Sequence, residues 1–179
     1  MRKLIFWSAI LIVFASCNKF LKEDPKGQFL EANYFHSTAD IEAFMPSLFY
    51  YASDFYYDGS SFNMSLRGDD MTGTHAGSEP LERFNQPSDE QYVYVHWYRT
   101  YRVITQANSI LENVNKVTSG DTVLLKNLTG LAYFFRGWSY FNLARFFKQA
   151  PIVYTVGGNL DIKSSSQQKL FEQCVSDMT

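Results

Sequence analysis

The chain is poor in cysteine and histidine, and its charge is nearly balanced. The two cysteines, Cys17 and Cys174, sit near opposite ends, and Cys17 closes a leader-like segment. Cys174 is then left without a partner, which argues against a structural disulfide or a cysteine-ligated zinc site. It reads as a small apolar helix residue. The three histidines, His36, His75 and His96, lie far apart and form no metal-ligand spacing. No metal and no other cofactor is expected, and His96 beside Trp97 reads as a packing or surface residue. No Gly-x-Ser-x-Gly elbow and no phosphate-cradling glycine loop occurs. No basic cluster of five or more residues exists. Without Arg2 and Lys3, 14 basic residues face 18 acidic ones, a net charge of −4. Nucleic acid is therefore not an expected partner.

What is present begins with a targeting pattern. Arg2 and Lys3 precede Leu4–Phe14, an apolar run of eleven broken only by Ser8. A bilayer span needs about 20 apolar residues, so this is a secretory leader rather than a membrane helix. Phe14-Ala15-Ser16-Cys17 resembles the lipobox of bacterial lipoproteins, in which the leader is cut before the cysteine and the cysteine carries lipid. That resemblance implies a signal peptide over 1–16 and lipidation at Cys17. Several acyl chains on one residue would give stable anchoring, since one chain is marginal. Residues 17–37 then form a polar tether, with Pro25 and Gly27 opposing a continuous helix. Lys22-Glu23-Asp24 resembles surface-export signals of lipoproteins and reads equally well as a solvated charge run.

The body, 38–179, reads as all-α. Ser37 or Thr38 can cap a helix from about Thr38 to Ser53, with Asp40 in its first turn and Ile41, Phe44, Met45, Leu48 and Phe49 on one face. Pro46 either kinks that helix or marks a later start. From Asp54 to Gln91 no period holds, and glycine, serine and proline punctuate a long irregular loop. A second helix spans about Val93–Val117, with Trp97, Tyr101, Ile104, Asn108, Leu111 and Val114 on one stripe. Ser119-Gly120-Asp121 breaks it. A third spans about Thr122–Phe147, with Leu124, Leu128, Leu131, Phe135 and Trp138 sharing a face that Phe134, Tyr140 and Phe141 widen, and Gly130 and Gly137 leaving room for a neighbouring backbone. Trp97 and Trp138 fit the core better than a surface. Arg136, inside an aromatic run, needs an acid or carbonyl partner between helices, and Asn108 suits a backbone bond. Two long helices with a short polar link make an antiparallel hairpin of the tetratricopeptide type. Ser165 or Ser166 opens a fourth helix carrying Leu170, Phe171, Cys174 and Val175. Such a pair cannot bury its own faces, so the chain reads as the N-terminal part of a longer protein.

Four features together resemble the SusD/RagB family of outer-membrane nutrient-binding lipoproteins. They are Ser16-Cys17 followed by Phe20-Leu21, two acids and Pro25; Trp97, Tyr101, Ile104, Ala107-Asn108 and Ile110-Leu111; the run Gly130-Leu131-Ala132-Tyr133-Phe134-Phe135-Arg136-Gly137-Trp138-Ser139-Tyr140-Phe141; and Ala150-Pro151-Ile152. Gln149-Ala150 departs from the family's usual glycine. The resemblance implies a SusD-like fold with long irregular loops and no enzymatic activity. It also implies a surface lipoprotein held in the outer membrane by its lipid, binding a glycan or oligosaccharide and closing over a SusC-type TonB-dependent transporter.

Aromatic residues make up 17% of the chain, more than a core of this size needs, and an aromatic plane suits the apolar face of a sugar. In the 54–91 stretch Tyr56 and Tyr57 are candidate ring platforms, and Arg67, Asp69 and Asp70 candidate polar contacts. The same residues could instead pack against further chain. Two rivals stand beside glycan binding: a helical-repeat scaffold that binds only a protein partner, and a glycosidase using Asp69, Asp70 and Glu79, which needs two carboxylates about 5–10 Å apart across a cleft.

Overall fold

The computed structural model describes residues 34–57, 68, 83–85, 87, 91–158 and 161–179, without the side chains of 55–57 and 92. The folded unit runs from Phe35 to Thr179. Its helices are α1 (Thr38–Tyr57), α2 (Gln91–Asn113, followed by a 3-10 turn at Val114–Lys116), α3 (Thr122–Phe147) and α4 (Gln167–Met178). Two short strands, β1 (Gln149–Ala150) and β2 (Ser165–Ser166), pair antiparallel.

The entry to α1 is a reciprocal cap. The Asp40 carboxylate accepts from the Ser37 hydroxyl (2.8 Å) and from the backbone N–H groups of Ser37 (2.8 Å) and His36 (3.0 Å). The Asp40 N–H in turn donates to Ser37 Oγ at 3.3 Å. The Ser37 hydroxyl, followed by those backbone donors, holds the Asp40 carboxyl below its ordinary range. The same end of α1 is latched to the turn between α2 and α3. Thr38 N–H donates to Ser119 O at 3.0 Å, Thr38 Oγ1 to Asp121 O at 3.1 Å, and Thr118 N–H to His36 O at 3.2 Å. Gly120 makes this possible: its φ is +110°, and a Cβ there would sit 2.7 Å from Thr38 Oγ1. The helix starts at Thr38 and continues through Pro46, so Pro46 forfeits one backbone bond without delaying the start.

Side-chain pairs show that successive helices are antiparallel. Ser47–Gln106, Tyr51–Arg102 and Asp54–Arg99 join α1 to α2 as rungs, each forward step on one helix matched by a backward step on the other. Asn108–Arg136 and Trp97–Phe147 do the same for α2 and α3, and Phe141–Phe171 and Ala144–Gln167 for α3 and α4. The core comprises Ile104, Tyr140, Leu143, Ala144, Ala150, Leu170 and Cys174, with Trp97, Tyr101, Phe147 and Ile152 packed against it. Cys174 is the small buried residue expected.

The inner face of α3 differs from the stripe anticipated. Leu131 and Phe134 are exposed, and the buried positions are Leu128, Ala132, Arg136, Gly137, Ser139, Tyr140, Asn142, Leu143 and Ala144. The reason is that α3 has neighbours on two sides, α2 and α4, and small residues bring those helices close. A Cβ on Gly137 would lie 3.1 Å from the Cys174 carbonyl oxygen, as the expected close approach requires. At Gly130 no other described element lies within 4 Å of where a Cβ would sit, so among the described residues the expected close approach is made at Gly137 and not there.

His96 is fully buried, with the Phe146 ring edge-on at 4.4 Å. Burial pushes its pKa from 6.5 to about 4. The unfolded chain therefore takes up a proton before the folded one, and stability present above pH 6.5 is lost progressively down to about pH 4. Between pH 7.5 and pH 5 this amounts to about 2 kcal/mol. Urea denaturation across that range should show the loss, and His96→Leu should flatten it; an unchanged slope in the variant would refute the assignment.

Lys148 ends α3 in the left-handed region, φ 62°. After β1 the chain runs back over α2 and α3 as an extended strap, 151–156, that borrows its hydrogen bonds from helix side chains. Tyr101 donates to Pro151 O (2.7 Å) and Asn108 Nδ2 to Val153 O (2.9 Å). Tyr140 OH donates to Val153 O and accepts from Val153 N–H, both at 2.8 Å, and the Val156 N–H meets Glu112 at 2.7 Å. These side chains meet the demand of a half-buried backbone that has no strand neighbour among the described residues.

Candidate functional site

The residues proposed from sequence are unevenly reached. Cys17, Arg67, Asp69 and Asp70 lie outside the described residues. Tyr56 and Tyr57 are not in an irregular loop but form the last turn of α1. The helix extends past Ser53 because its end is fastened to α2: Arg99 Nη1 donates to Asp54 O at 3.0 Å, and Arg99 Nε meets Asp54 Oδ2 at 3.2 Å. Trp97 and Trp138 are half-buried rather than fully core.

Next to that fastening the two helices present a cluster of rings and charge. Tyr94, Tyr98 and Arg102 follow one another at i, i+4 and i+8 along α2, a straight line on its outer surface. Tyr94 and Tyr98 are stacked, with centroids 5.9 Å apart and planes inclined by 14°. From α1, Tyr51 reaches across to Arg102, and Tyr50 meets Tyr51 edge-on at 5.2 Å. Tyr94 is 64% exposed, Tyr50 62% and Tyr98 43%. The Arg102 guanidinium donates to the hydroxyls of both Tyr51 and Tyr98, and its carbon lies 4.2 Å from the Tyr51 ring centre and 5.3 Å from that of Tyr98. Flat ring faces, phenol hydroxyls and a cation thus share one surface, at the end of the helix pair where α1 finishes and α2 begins. The tyrosine line is visible in the sequence as a second stripe beside Trp97–Val114, at the spacing of a polar helix surface.

Of the hollows along the described helices, two are lined by ring residues of α1, α2 or α3. One, of about 460 Å³, has Trp97 and Tyr101 on one wall and Pro151, Val153, Gly157 and Ile162 on the other. The second, of about 440 Å³, is apolar and lies between α1 and α3, bounded by Phe49, Ala52, Phe134, Phe135 and Trp138. Among the described residues no group of three or more His, Cys, Asp or Glu could hold a metal ion.

Arg136 belongs to the interior and not to this surface. It forks onto Asp177 (Nε–Oδ2 2.9 Å, Nη2–Oδ1 2.6 Å) and donates from Nη1 to Asn108 Oδ1 at 3.0 Å. Burial alone would lower its pKa, but the bonds to Asp177 more than offset this and the net shift is upward.

The fold matches known proteins over most of the helical unit. The crystal structure of a SusD superfamily protein from Bacteroides vulgatus superposes with a TM-score of 0.67 at 20% identity, covering 79% of this chain and 33% of that one. A SusD-like carbohydrate-binding protein from the same species gives a TM-score of 0.66 at 21% identity, covering 80% and 34%. The family model of SusD-like proteins described as starch-binding and associating with the outer membrane matches residues 19–179. This chain belongs to the SusD-like family. Its membership accounts for the all-α architecture and places the protein at the outer membrane. SusD-like protein P2 of Formosa agariphila is 24% identical over 97% of this chain, which spans 36% of that relative's length.

Proposed function

We propose that the protein is a non-enzymatic, lipid-anchored glycan receptor that hands oligosaccharide to a SusC-type TonB-dependent transporter. The observation that carries the reading is the stacked, exposed Tyr94–Tyr98 pair beside Arg102. Pyranose rings have apolar faces that lie on such planes, while phenol and guanidinium groups bond the hydroxyls at the rim. The family's description as starch-binding supports the ligand class. In this reading Cys17 carries the lipid, Tyr56 and Tyr57 add contacts from the last turn of α1, and Arg67, Asp69 and Asp70 add them from the connection between α1 and α2. The apolar hollow between α1 and α3 suits a protein partner. It is the observation that favours the scaffold alternative, in which no glycan binds.

Affinity electrophoresis and calorimetry of the full-length protein against neutral and charged polysaccharides test the proposal. Each tyrosine ring is worth about 1 kcal/mol, so Tyr94→Ala with Tyr98→Ala should weaken binding at least tenfold. Unchanged affinity would move the site elsewhere, and absence of binding to every glycan would leave the scaffold reading.

A further inference from the structure

The arginines on these helices are not equivalent. Arg136 is neutralised by Asp177 and Arg99 by Asp54. Arg145 is exposed and lies against Phe141 and Phe146 (5.2 and 5.4 Å). Arg102 is different: it is held in place, and among the described residues no acid neutralises it. Two of its N–H groups go to phenol oxygens, one from each terminal nitrogen. A guanidinium has five such donors, so the Nε–H and one on each terminal nitrogen are left. Among the described residues no carboxylate bonds it. The rings at 4.2 and 5.3 Å stabilise a cation without cancelling its charge, and the Tyr51 hydroxyl bond, with help from the Tyr98 bond, outweighs the opposing effect of burial and raises its pKa.

A positioned, uncancelled guanidinium is a fork for two oxygens of one anion, because its donors match a carboxylate or sulfate in plane and spacing. The chain as a whole carries a net charge of −2 and repels anions at long range. Anion preference would therefore have to come from a local group of this kind. A neutral glycan would leave the fork facing hydroxyls alone.

We propose that Arg102, framed by Tyr51 and Tyr98, selects an anionic glycan, one bearing carboxylate or sulfate groups, at the tyrosine surface. The inference rests on the glycan-binding reading above and narrows its ligand class. The acidic group pairs with the free guanidinium donors while an adjacent sugar ring lies on Tyr94 and Tyr98.

The test uses ligand pairs that share a sugar backbone and differ in charge at one group: oligogalacturonate against its methyl ester, and κ-carrageenan oligosaccharide against its desulfated form. Calorimetry is run on the full-length protein at low salt. The expected result is that the charged member of at least one pair binds tenfold or more tightly than its neutral counterpart. The carboxylate and sulfate arms tell the two anion sources apart. Arg102→Gln should abolish the preference and Arg102→Lys should keep part of it. Tyr51→Phe, which retains the ring and removes one hydroxyl tether, should reduce it, so the idea stays testable if Arg102→Gln folds poorly. Equal affinity for charged and neutral members overturns this inference and leaves glycan binding intact. A preference that survives Arg102→Gln also overturns it. Failure of every glycan to bind removes the functional reading and this inference together.

Discussion

Replacing Arg136 by methionine should cost about 3–5 kcal/mol of folding stability, the range for stripping the partner from a buried charge. The Asp177 carboxylate is 2% exposed and would lose both arms of the fork. Gln173 Nε2, at 2.9 Å from Asp177 Oδ1, is a neutral donor and would not replace them. Asn108 Oδ1 would also lose its donor, although Asn108 Nδ2 would still hold Val153 O. The double variant Arg136→Met with Asp177→Leu removes both charges and should recover most of the loss, because a buried pair is often replaceable by apolar groups of similar volume. Urea unfolding of the wild type, both single variants and the double variant measures the coupling. A loss below 1 kcal/mol in Arg136→Met would show that the pair reaches water.

Tyr140 carries the second large effect. It is fully buried at the centre of the core and sits between α2, α4 and the strap. Two parts of its contribution can be separated. Tyr140→Phe keeps the ring and removes the hydroxyl that bonds both polar groups of Val153. The Val153 carbonyl retains Asn108, but the Val153 N–H loses the Tyr140 oxygen, so the expected cost is about 1–3 kcal/mol. Tyr140→Ala adds a cavity and should cost about 3–5 kcal/mol or more. Equilibrium unfolding of the pair gives the difference. If the phenylalanine variant is as stable as the wild type, the strap does not depend on the hydroxyl, and backbone exchange at Val153 should then be unchanged as well.

Both effects involve residues that the sequence singled out or could have. Arg136 stood out because a charge within an aromatic run cannot be buried alone, and Asn108 because an amide on an apolar stripe needs an acceptor or donor. The partner acid, Asp177, could not be named in advance, since nothing local marks a residue 41 positions away. The limits of α3 were legible from the Asp121 cap, which accepts from the N–H groups of Val123 and Leu124, and from the following Pro151. Its inner face was misjudged because large apolar residues were weighted above small ones. In a helix with two close neighbours, Ala132, Gly137, Ser139 and Ala144 occupy the contacts and Leu131 and Phe134 stay outside. Of the site residues read from the sequence, Arg67, Asp69 and Asp70 lie outside the described residues. Tyr94 and Tyr98 lie on a regular helix, where a surface stripe is easily discounted as the back of an amphipathic rod.

The latch at the start of α1 has a mechanical consequence. Tension arriving along the backbone ahead of Phe35 meets the hydrogen bonds that tie His36 and Thr38 to the 118–121 turn. Those bonds share the strain and pass it into the tip of the α2–α3 pair. The tyrosine surface sits at the opposite end of the rods. A molecule tugged from its N-terminal side would therefore feel the load first at Thr38 and Gly120, while the distant tyrosine surface kept its shape.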